Sequence, residues 1–201
     1  MRERINGIRV AVVGLTESKR GITDPSVVWH ESVDTARTDG CEYIIDAGQD
    51  RVVRVYLNWP EWQDSNKVFE MNTDNDDKSA LIKSFISLAL DSIPSGEIDM
   101  ADLERVFCSC NYKTIRVEGR ESEQAICKVA DGLPLMMSQV LIYIRAGEKH
   151  SFFDLAQMSE DIYTALEERV EETDDFQYIL VPFDTDETLD SKELEYSVWW
   201  R

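Results

Sequence analysis

The sequence predicts an α/β protein: a mixed sheet with helices, and a smaller β-α-β-β unit at its N-terminal end. Three observations lead there. Runs rich in β-branched and aromatic residues, such as "IRVAVVGL" at 8–15 and "QVLIYIRA" at 139–146, alternate with stretches of helical period, such as "KSALIKSFISLALDSI" at 78–93. Some strands are separated by helices and others only by short turns, the mark of a mixed sheet. The composition, 43% hydrophobic and 9% aromatic over 201 residues, is enough for a sizeable core.

Each element has its own signal. "IRVAVVGL" reads as a buried strand. A polar loop, "TESKRGITD", leads to a helix signature, with Asp24 as N-cap and Pro25 at the first helical position. Trp29, Val33 and Ala36 continue it at helical spacing, and Gly40 is its C-terminal stop. "CEYIIDA" and "RVVRVYLNW" are strands joined by the "GQD" turn. Residues 60–77 carry Pro, Asn and clustered acids with little periodicity, and read as an acidic linker. The domains are therefore expected at 1–77 and 78–201.

The second domain opens with the apolar helix at 78–93, where Leu81, Phe85 and Leu88 share a face with Ile82, Ile86 and Ala89 beside them. Pro94 and Gly96 end it. Leu103, Val106, Phe107 and Cys110 mark a second helix. "KTIRVE" at 113–118 is a half-buried strand, and 121–131 a short helix with Ile126 and Val129 inward. After the strand at 139–146, Ser151 and Asp154 form a capping box. The helix it opens holds Leu155, Met158, Ile162, Leu166 and Val170 on one face. "FQYILVPF" and "LEYSVWW" are the last strands. This closing β-α-β-β order matches that of 8–59, so an internal repeat is expected.

Charge and cysteine usage exclude several function classes. Forty acids against 21 bases leave a net charge of −19, which repels nucleic acid and anionic membranes. The acidity fits a solvated acidic face or a salty cytoplasm. No run reaches the roughly 18–20 apolar residues of a membrane helix, and "MRERING" lacks a signal core, so a cytoplasmic protein is expected. Cys41, Cys108, Cys110 and Cys127 lack metal-ligand spacing, and with only His30 and His150 no Ser-His-Asp or Cys-His set can be argued. The acid runs at 171–175 and 184–190 read as solvated turns rather than metal sites. The segment 10–24 has Gly14, Lys19 and Gly21 after a strand, but no Gly-Lys-Ser/Thr, and so fails as a phosphate loop.

One stretch asks for more than a structural role. "SIPSGEIDMADLERVF" at 92–107 carries Glu97, Asp99 and Asp102 between two helices. It resembles the synergy loop of the FtsZ/tubulin family, in which an asparagine is followed by an aspartate two residues on and another three further. The element order from 78 to 201 resembles the C-terminal half of that family. So do "VLIYIRAGEKHSFFDLAQMSEDI" at 140–162, a strand, glycine turn and helix, and "YILVPFDTDETLDSKELEYSVWWR", its last two strands.

The resemblance implies an FtsZ-like protein without the GTP-binding half. The family's glycine-rich signature loop is missing, since nine glycines form no run, and about 75 residues precede the central helix. No cofactor is expected. In the family the loop acids reach the nucleotide of the next subunit and polarise the attacking water. Asp99 and Asp102 are the candidates for that role in trans; Glu97 replaces an amide with a charge that repels phosphate. Both aspartates also suit a helix start, as N-cap and first-turn charge. The expected function is non-catalytic: docking on or capping an FtsZ-like filament, or self-association. The alternatives are a GTPase-completing subunit and a small-molecule-binding domain. Trp59 and Trp62, in "LNWPEW", are expected on a contact surface with the loop, because tryptophan concentrates binding energy.

Overall fold

The computed structural model describes residues 8–15, 25–58, 68–74, 76–92, 100–118, 127–129, 131–134, 137–147, 149–167, 177–185, 189–191 and 193–201. The architecture is α/β with mixed strand directions, as the sequence predicts. The chain divides into two compact units, Met1–Tyr112 and Lys113–Arg201.

The first unit runs β1 (Val10–Val13), β2 (Val27–His30), α1 (Val33–Thr38), β3 (Tyr43–Asp46), β4 (Val52–Leu57) and β5 (Val68–Asn72), then α2 (Lys78–Ser87) and α3 (Met100–Phe107). Its strand order is β2-β1-β3-β4-β5. β1 is parallel to both β2 and β3, and β3, β4 and β5 are antiparallel in turn. Strand β6 (Cys110–Glu118) begins here, with Cys110 opposite Met71. All four β1 residues are buried, as a central parallel strand requires.

The helix expected from Asp24 is shorter and starts later. Asp24 itself lies outside the described residues. Val27–His30 form β2 on the β1 edge, where β-branched and aromatic side chains fit better than in a first helical turn. The helix then starts at Val33 behind a second cap: Ser32 Oγ accepts from Thr35 N–H at 3.2 Å, and Thr35 Oγ1 accepts from Ser32 N–H at 3.3 Å. Gly40 follows with φ +71°, the left-handed stop the sequence implied.

The expected linker at 60–77 contains β5. Phe69 and Met71 alternate inward, and Arg54 meets Glu70 across the β4 pair at 2.9 Å. The helices beyond it join the first unit rather than the second. The Phe107 ring of α3 lies 5.7 Å from Phe69 and 5.6 Å from Phe85 of α2, and Phe85 lies 6.0 Å from Tyr43. All six apolar positions marked in the sequence are buried, Leu81, Ile82, Phe85 and Ile86 in α2 and Leu88 and Ala89 in the π turn that continues it over Leu88–Ser92. Leu103, Val106, Phe107 and Cys110 are buried too, although Cys110 is the first residue of β6 rather than part of the helix.

The second unit continues with β6, then β7 (Gln139–Ala146), α4 (Phe152–Glu167), β8 (Gln177–Thr185) and β9 (Glu193–Trp200), in the order β6-β9-β7-β8. β7 is parallel to β8 and antiparallel to β9. Leu155, Met158, Ile162 and Leu166 of α4 close a core with Ile115, Val140, Ile142, Leu194, Tyr196 and Val198. Residues 127–129 are helical and Val129 is buried, while Ile126 and Val170 lie outside the described residues.

The expected internal repeat does not hold at the level of topology. In the first unit the closing strand, β4, pairs with the strand before it, β3. In the second unit β9 bypasses β8 and pairs with β7. Its six central residues are all buried, on both faces, which demands an interior position.

Candidate functional site

The acidic loop at 93–99 lies outside the described residues, but the helices on either side of it in the sequence are described. α2 enters it through the π turn, a wider winding that often marks functional segments. α3 leaves it from Met100, with Leu103 and Val106 buried and the Phe107 ring in the aromatic cluster. Asp102 is the third residue of α3, in its first turn. Glu97 and Asp99 lie outside the described residues, as do Trp59 and Trp62.

A second place merits inspection because ligands in open α/β sheets collect at the carboxyl ends of parallel strands. There β1 runs into Gly14 and β3 into Ala47 and Gly48. Gly14 has φ +81°, and a Cβ on it would sit 2.5 Å from Gly48 Cα. Gly48 N–H donates to Asp46 Oδ1 at 3.0 Å, and Ala47 N–H to the Val13 carbonyl at 2.9 Å. The missing side chain of Gly14 is thus used for backbone-to-backbone packing. Lys78, only 6% exposed, points its ammonium at the Ala47 carbonyl, 3.2 Å away, and at the Gln49 carbonyl. A buried ammonium is tolerated when such acceptors satisfy it. Lys19 and Gly21 lie outside the described residues.

Tertiary folding also assembles a group that spacing could not reveal. His30 ends β2, and Asp39 caps α1 before Cys41. His30 Nε2 lies 3.8 Å from Cys41 Sγ and 3.5 Å from Asp39 Oδ2. A nucleophilic relay needs its thiol and carboxylate on opposite ring nitrogens; here both face the same one. Cys41 is fully buried, and burial pushes its thiol up, although Arg9 pulls it partly back. A buried, protonated thiol is a poor nucleophile. Among the described residues no group of three His, Cys, Asp or Glu side chains could hold a metal ion.

In the second unit a charged triad crosses three strands. Glu195 of β9 is fully buried. It accepts from Arg116 of β6, at 2.8 Å to Nε and 2.7 Å to Nη2, and from Arg145 Nη2 of β7. Gly147 follows β7 directly. Its Cα faces the Asp190 carbonyl so closely that a Cβ would sit 2.2 Å from it, and its N–H donates to Glu193 at 3.0 Å. Outside the core face of α4, Phe153 is 77% exposed. Its antiphase to Leu155, Met158 and Ile162 is the signal that would have placed it outward.

No family model matches the chain, and no curated protein matches it in sequence. Among solved structures, it is similar to an empty FtsZ dimer of M. jannaschii: 13% identity, TM-score 0.46, over 63% of this chain and 37% of that one. It is also similar to TubZ of Bacillus thuringiensis serovar israelensis in GDP-form protofilaments: 11% identity, TM-score 0.43, over 79% of this chain and 42% of that one. For the GTPγS-form protofilament of TubZ the values are 10%, 0.39, 61% and 34%. The chain thus spans about two fifths or less of the length of each. No helix among the described residues is long and apolar enough to cross a membrane.

Proposed function

We propose that the chain is a non-catalytic FtsZ/tubulin-like protein that acts through protein contacts, docking on an FtsZ-like filament end or pairing with itself. The observation that supports the non-catalytic reading most directly is at the carboxyl ends of β1 and β3. Gly14 packs on Gly48, and Lys78 is bound to backbone carbonyls. A glycine and a lysine that could have served a phosphate serve the chain's own backbone instead. The residues proposed for docking are Glu97, Asp99 and Asp102 of the loop, and Trp59 and Trp62.

Pull-down from native lysate, with sedimentation velocity of the purified chain, tests the reading. An FtsZ- or tubulin-like protein in the eluate, or a concentration-dependent dimer, is expected. A chain that stays monomeric and captures neither overturns it. The variant Asp99→Asn with Asp102→Asn separates docking from catalysis. Asparagine caps a helix as well as aspartate but carries no charge to polarise water. Unchanged GTP turnover of the captured partner, with or without the variant, is expected. Stimulation that disappears in the variant would instead assign the two aspartates to catalysis in trans.

A further inference from the structure

We draw no further inference here: the strongest candidate, Phe153 on the outer face of α4, 77% exposed, is a single exposed side chain, and nothing in the structure shows what covers it.

Discussion

Glu195 has no exposed surface, and its charge is tolerated because two guanidiniums from neighbouring strands meet it. The two partners are not equivalent. Arg145 is 8% exposed, whereas the Arg116 side chain is 62% exposed and water can replace it. Glu195→Ala removes a carboxylate that meets the buried Arg145 and is expected to cost about 3–5 kcal/mol. Arg116→Ala is expected to cost about 1–2 kcal/mol. Urea denaturation measures both, and equal losses would contradict this division. Two glycines offer a similar contrast. Gly14 and Gly40 both have positive φ, but a Cβ on Gly40 meets nothing within 4 Å. Gly40→Ala is expected to lose only the left-handed penalty, about 1–2 kcal/mol. Gly14→Ala adds a collision with the Gly48 backbone and is expected to lose at least about 1 kcal/mol more. If the two variants melt alike in urea, the strand ends are looser than this packing implies.

Among the elements, α4 shows how far local chemistry can carry a helix. Ser151 Oγ accepts from Asp154 N–H at 3.2 Å, and Asp154 Oδ2 accepts from Ser151 N–H at 3.1 Å, the reciprocal pair of a capping box. Ser151→Ala frees a helix-start N–H and is expected to destabilise the fold by about 1 kcal/mol, read from the urea midpoint at constant m-value. An unchanged midpoint would mean that packing of Leu155 and Met158 holds the first turn unaided. α1 is the opposite case. Its six residues are too short to stand alone. It exists because Ser32 caps it and because Ala36 packs into a small core with Ala11, Val13, Cys41 and Ile44.

Over the whole molecule, burial of neutral acids sets the alkaline limit. Burial pushes up the Tyr43 and Tyr196 phenols and the Cys41 and Cys110 thiols. In the unfolded chain these groups ionise near about pH 10 for tyrosine and about 8.5 for cysteine. Above those values the folded state keeps protons that the unfolded state has lost. The folded pKa is the higher one, so this contribution is intact below the unfolded pKa and lost as pH rises. Unfolding free energy is therefore expected to hold up to about pH 8 and then fall. Each such group steepens the decline by about 1.4 kcal/mol per pH unit once its unfolded pKa is passed. Urea melts from about pH 7 to about pH 11 check the slope. Phenolate absorbance should show these two tyrosines ionising only with unfolding, and an earlier titration would refute their burial.

Hydrophobic period, a capping pair and a glycine stop are local, so the sequence alone determined β1, β3, β4, β6, β7, β8 and β9 as strands, α2 and α4 as helices, and Gly40 as a helix stop. The candidate loop was picked out by resemblance rather than by pattern: Asp-x-x-Asp before a helix is common, and Glu97 and Asp99 lie outside the described residues. What depended on partners distant in the chain was not legible. Residues 27–30 had a helical period in the sequence and became β2 because β1 offered a parallel ladder. Val68–Asn72 looked like linker and became β5 because β4 lies along its whole length. The repeated element order hid two different sheet orders, since only the tertiary structure could place β9 beside β7. Likewise Gly14 on Gly48, Lys78 on the Ala47 carbonyl, and Glu195 between Arg116 and Arg145 join residues far apart in sequence. A strand edge or a buried charge is stable only once its partner arrives, and no local pattern records which partner that will be.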